Sequence, residues 1–204
     1  MLKIEKTEIT GWEPALRGMR NPMNSWSRAD TVFLDGDVPD VGPNDLKLMK
    51  QLAAGGAVHA KYRRMITVYA DITGPLYWWK QMDTYKIGTV TDSCSTMHKI
   101  TEKPFTRDDF SVEHLNAGNL PFFDTVIGLL EFSRKRYLET KDKEEWWQMI
   151  QMLPESYNQK RTIMLNYENL SAIYRDRKGH KLDEWHDFCL WIEKLPYSKV
   201  ITGG

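Results

Sequence analysis

The chain has 204 residues, enough for one domain (1–204) to bury about 70% of its unfolded surface without disulfides or a metal. Its 28 basic and 28 acidic residues cancel, which argues against general nucleic-acid binding or attachment to an anionic membrane. Cys94 and Cys189 are the only cysteines, in no metal-ligand spacing, and two free thiols suit a reducing cytoplasm. The opening MLKIEKTEIT is too charged for a signal peptide, and no apolar run approaches the roughly 18 residues of a membrane span.

In chain order, residues 1–12 read as a strand, with Leu2, Ile4 and Ile9 among charges. Residues 14–42 are rich in Pro, Gly, Asn and Asp and read as largely irregular. Within them RGMRNPMNSW, Arg17 to Trp26, is either a structured loop or a contact for phosphate or a partner, since arginine offers forked donors to oxyanions. Asn44 or Asp45 is expected to cap a helix over Leu46–Ala54, which Gly55-Gly56 ends. His59–Ile72 alternates as a strand, and Gly74-Pro75 starts a helix running to about Tyr85 that carries the Trp78-Trp79 pair. Residues 88–98, Thr- and Ser-rich, read as a loop, and Ser111–His114 as a short turn. One or two amphipathic helices span 121–152, their charged stretch forming a solvated face, and Pro154 stops them. A further helix is expected over about Gln159–Arg177, and a last one over Leu182–Leu195 before Pro196.

The usual chemical signatures are missing. No Gly-x-Ser-x-Gly elbow surrounds Ser93, Ser95 and His98, and no Walker loop or GxGxxG occurs. His180 and Glu184 at i, i+4, with His186 beyond, read as capping and surface groups, so no metal is expected. Adjacent aromatics at Trp78, Trp79 and Tyr85 offer faces on which a base or flavin ring could stack, or else a packed core.

Two long-range patterns remain. Residues 153–184 place Leu153-Pro154, Ser156, Lys160, Asn166, Leu170 and Arg177 at fixed spacing, followed by His180 and Glu184. Upstream, residues 66–99 carry Pro75, Lys80 and Gln81, then Thr84-Tyr85-Lys86, then Thr89, Thr91 and Asp92, with Ser93 or Ser95 next and Thr96 after them. The two blocks, in this order, resemble the flavin-dependent thymidylate synthases, the ThyX family. The resemblance covers about two thirds of the chain and leaves residues 14–55 as an unassigned insertion or extension. It implies an α/β (α+β) fold with a central mixed sheet flanked by helices, a homotetramer with sites shared between subunits, and a nucleotide ligand. Carried over position by position, Gln81, Lys160 and Arg177 would contact a pyrimidine nucleotide of the dUMP type, with Ser93 or Ser95 on its phosphate. FAD is the family's cofactor, but its Arg-His-Arg motif falls here on Thr84, Tyr85 and Lys86, and the second phosphate arginine on Thr96. Trading forked guanidinium donors for hydroxyls weakens the flavin side. The expectation is therefore a cytoplasmic nucleotide-binding protein with altered or lost flavin chemistry. The alternatives are an active FAD-dependent thymidylate synthase with a divergent triad, and a phage or mobile-element protein that sequesters a cyclic or other signalling nucleotide.

Overall fold

Ile4 and Ile9 are five residues apart, so in a regular strand they would face opposite sides. Lys6, at φ +50°, lies between them and resets the alternation, and both isoleucines are half-buried in β1, Lys3–Thr10. This strand opens a computed structural model that describes residues 1–34 and 38–203. After β1 the chain forms α1 (Trp12–Met19), α2 (Pro43–Ala54), β2 (Thr67–Pro75), α3 (Leu76–Met82) and β3 (Val90–Ser93). Then come α4 (Leu120–Thr140), α5 (Lys143–Met152), β4 (Asn158–Asn166), α6 (Tyr167–Arg177), α7 (Asp183–Glu193) and α8 (Lys199–Thr202).

The four strands form one sheet in the order β1-β2-β4-β3. The α+β expectation is met, and the sheet expected as mixed is antiparallel. Each pair shows its register through particular residues. Gly74 lies so close to Leu2 that an added Cβ would meet that side chain at 2.4 Å, while Lys6 and Asp71 pair at 3.8 Å. Between β2 and β4, Leu76 N donates to Tyr157 O at 3.0 Å and Tyr167 N to Ile66 O at 3.1 Å. At the end of β3, Cys94 N donates to Lys160 O at 2.9 Å.

Several expectations change for identifiable reasons. The start of the stretch read as irregular is α1, because Trp12, Ala15, Leu16 and Met19 recur at helical spacing and bury one face. Its Pro14 sits in the first turn, where a missing N–H costs little. The remainder of that stretch has only short 3-10 turns at Asn21–Met23 and Trp26–Arg28, and positions 35–37 lie outside the described residues. Neither Asn44 nor Asp45 caps α2. Pro43 opens it, and the carboxylate of Asp30 accepts from Asn44 N at 2.8 Å and Asp45 N at 3.0 Å. Strand β2 begins at Thr67 because Lys61–Arg64 closes a 3-10 turn first. Residues 90–93 form an exposed edge strand rather than part of a loop. The helix expected from Gln159 begins at Tyr167: Gln159, Ile163 and Leu165 are buried at strand alternation, which makes β4. Asn166 then starts α6 by a capping box with Asn169.

The described chain divides into two compact units and passes between them several times. One contains residues 1–3, 72–84 and 92–161. Its α4 and α5 pack against each other over Ile100, Phe105, Phe110, Leu130 and Met149. The other contains residues 4–71, 85–91 and 162–203. There α6 packs on α7 and α8, with Tyr167, Leu170 and Ile173 buried on its inner face. Trp185, fully buried on α7, removes on the order of 200 Å² of surface from water, about 5 kcal/mol. Among the described residues no helix is long and apolar enough to cross a membrane.

Candidate functional site

In the second unit, the segment after α3 folds back onto α6. Asn169 Nδ2 donates to Ile87 O at 2.7 Å, and Gly88 takes φ +73°, where a side chain would crowd Asn166. Thr89 Oγ1 donates to Tyr85 O at 2.5 Å. This holds Tyr85 over the last turn of α6, where Arg177 Nε donates to its hydroxyl at 2.9 Å. The guanidinium also lies 4.7 Å from the Trp185 ring and 5.5 Å from the Tyr85 ring, and the two rings meet edge to face at 6.2 Å. Arg177 and Tyr85, 92 residues apart in sequence, thus meet in one half-buried cage. His180 packs edge-on to Trp185 and accepts from Leu182 N at 3.1 Å, so its role here is to cap the turn into α7. Burial, and then the Arg177 charge, hold its imidazole below its ordinary pKa. Lys86 is exposed.

The other sequence-derived candidates lie in the first unit. Ser93 and Ser95 flank Cys94, whose N–H pairs with the carbonyl of Lys160, so the β3–β4 register sets both serines along the strand that carries the lysine. Ser95 Oγ accepts from Met97 N at 3.2 Å and His98 N at 3.0 Å, which fixes a turn. Gln81 is half-buried at the end of α3, and its carbonyl accepts from Thr84 Oγ1 at 2.7 Å. Trp78 and Trp79 are fully buried, so they offer no face to a ligand ring. Their rings meet at 4.7 Å, and Trp79 Nε1 donates to Gln159 O at 3.0 Å. Core packing is the reading that holds for this pair.

Sequence reasoning missed two residues. Arg161 stacks 4.3 Å from the Trp79 ring and donates to Asp83 at 2.8 Å and to Gln159 at 2.9 Å, which ties α3 to β4. The adjacent Lys160 drew attention instead, and only the strand alternation, read as helix, would have put the two on opposite faces. Trp185 falls within the helix expected over Leu182–Leu195, and nothing local marks it as the wall of the Arg177 cage. Among the described residues no group of three His, Cys, Asp or Glu side chains is arranged to hold a metal ion. Burial pushes the Cys189 thiol up to about 11, which suits a packed and unreactive side chain.

No family model and no curated protein matches the chain. Among solved structures it is similar to the flavin-dependent thymidylate synthase ThyX from Helicobacter pylori complexed with FAD and dUMP, at 17% identity and a TM-score of 0.70 over 98% of this chain and 99% of that one. A second structure of Helicobacter pylori ThyX, with FAD and dUMP, matches at 17% identity and a TM-score of 0.70 over 100% of this chain and 98% of the other. At that identity the likeness shows architecture alone: this chain has the fold of the flavin-dependent thymidylate synthases.

Proposed function

We propose that this chain binds a pyrimidine mononucleotide of the dUMP type and that its flavin chemistry is altered or lost. The observation that carries the first part is the cage that orients Arg177. Guanidinium–ring contacts and the Tyr85 hydroxyl fix the plane of a side chain suited to an oxyanion or a base edge. Further support comes from the solved relatives, which were crystallised with dUMP. In this reading Gln81 and Lys160 also contact the nucleotide, and Ser93 or Ser95 meets its phosphate.

The second part rests on the three residues at the flavin motif. Thr84 donates its hydroxyl to the Gln81 carbonyl, and Tyr85 accepts from Arg177. Lys86 is the one cation of the three, a point charge without a fork. This set does not fit a flavin held by two guanidinium groups. The alternative, a working FAD-dependent synthase, draws on the FAD in the solved relatives. Purified protein supplied with FAD, NADPH, methylenetetrahydrofolate and dUMP separates the two readings. The proposal expects colourless protein and no dTMP; turnover near about 1 per second refutes it.

A homotetramer in the cytoplasm belongs to the same proposal. The exposed face of α4 carries Phe122, Leu129 and Phe132, which are 75%, 49% and 61% exposed. Gly128 beside them has open space around it, so a second helix can approach closely. An exposed apolar stripe of this kind supports the assembly.

A further inference from the structure

A second cleft lies in the first unit, outside every residue assigned above. It is an open cleft of about 320 Å³, at the small end of small-molecule sites, between the turn after Ser95 and the junction of α4 and α5. Its walls are the Tyr137 and Trp146 rings, and its rim carries His98, Thr101, Lys141 and Lys143. No carboxylate lines it, although the chain as a whole is neutral.

Three details indicate that the cleft is built rather than incidental. Trp146 Nε1 donates to Met97 O at 3.1 Å, which fixes the indole as a wall. Lys141 ends α4 at φ +59°, a conformation that glycine adopts without cost and other residues at about 1–2 kcal/mol. That strained position holds the Lys141 ammonium 5.6 Å from the Tyr137 ring centre, and Lys143 lies 6.0 Å over the Trp147 ring. Neither lysine forms an ion pair with a carboxylate among the described residues. One ammonium beside the Tyr137 wall, a second on the rim held by the outer Trp147 ring, the Trp146 wall and the Thr101 hydroxyl together recognise one kind of ligand.

The geometry points to this cleft as a binding site for a small planar anion, an aromatic ring bearing a phosphate or carboxylate group. The ring stacks against Tyr137 and Trp146 and the anionic group meets Lys141 and Lys143. The site does not depend on the Arg177 cage.

Calorimetric titration of the full chain carrying Arg177→Ala tests it, because that background removes the proposed pyrimidine site. The probes are adenosine 5′-monophosphate and 4-hydroxybenzoate, with adenosine and inorganic phosphate as halves of the ligand. At least one of the two aromatic anions should saturate one site per chain, and the halves should bind at least about tenfold more weakly. Which of the two binds distinguishes a phosphorylated from a carboxylate ligand. Lys141→Gly and Lys143→Ala should each weaken binding about tenfold or more. Lys141→Gly should also leave the melting temperature equal or higher, since glycine relieves the backbone. Lys178→Ala, just past the end of α6, should leave the affinity unchanged. Saturation by neither anion up to about 1 mM overturns the assignment, as does binding indifferent to both lysine variants or inorganic phosphate binding as tightly as the aromatic anions.

Discussion

Replacing Arg177 separates what the cage does for stability from what it does for a ligand. In Arg177→Ala three contacts disappear: the 2.9 Å bond to Tyr85, the 4.7 Å approach to Trp185 and the 5.5 Å approach to Tyr85. The hydrogen bond contributes about 1 kcal/mol and each half-buried cation–ring contact about 0.5–1 kcal/mol. The cost to folding is thus about 2 kcal/mol, which at this chain length lowers the melting temperature by about 4–8 °C. The loss of nucleotide affinity is separate. A charge-assisted contact of about 2 kcal/mol corresponds to a roughly thirtyfold weaker dissociation constant. Arg177→Lys keeps the charge but loses the fork and the planar stack, so it should recover little of either. Tyr85→Phe removes only the hydroxyl and should cost about 1 kcal/mol of stability. Chemical denaturation and dUMP titration of the three variants give both readouts. An Arg177→Ala protein that binds dUMP like the parent removes Arg177 from the site, whatever happens to its stability.

Two further predictions concern folding and assembly. Asp45 is buried and accepts from Arg20 Nε at 2.6 Å, Thr31 Oγ1 at 2.7 Å and the N–H groups of Asp30 and Thr31, each at 3.1 Å. Asp45→Asn leaves Arg20 buried beside a neutral group and should cost about 3 kcal/mol or more by urea denaturation, while a cost under about 1 kcal/mol contradicts the pairing. Burial alone would raise the pKa of Asp45, but the Thr31 and Asp30 bonds and the Arg20 charge hold it below the ordinary carboxylate value. Its contribution is therefore present above the unfolded pKa of about 4 and is lost as pH falls through the lower folded value, which a pH series of melting curves reads directly. On α4, Phe132→Asp places a charge in the exposed stripe and should convert a tetramer to smaller species by light scattering; a parent chain that is already monomeric at micromolar concentration rules out the shared-site assembly.

Much of the architecture was legible because it rests on local periodicity. The helical reading of 121–152, open between one helix and two, and the helix after Leu182 follow from apolar residues at helical spacing, with Pro154 and Pro196 as stops; the break at Lys141-Asp142 makes the former two. The errors arose where a local cue competed with tertiary contacts. Pro14 and Gly18 looked like loop punctuation, yet burial of Trp12 and Leu16 makes α1. Asp45 looked like a cap, yet it serves Arg20 while Asp30, distant in sequence, caps the helix. The candidate site was legible at Arg177 and Tyr85, which the two sequence blocks single out separately. It was not legible at Trp185 or Arg161, whose roles depend on partners that only folding brings near. Trp78 and Trp79 show the converse: aromatic content alone does not distinguish a ligand wall from a core.

The central claim, a pyrimidine-nucleotide site on this fold without the family's flavin grip, is tested most directly by the melting temperature of pure protein with and without dUMP. Ligand at 100 times its dissociation constant stabilises by about 2.7 kcal/mol, a rise of about 5–10 °C at this size. The account predicts that rise with colourless protein, no further rise on adding FAD, and loss of the dUMP response in Arg177→Ala. An unchanged melting temperature with dUMP, or yellow protein whose stability depends on FAD, contradicts it.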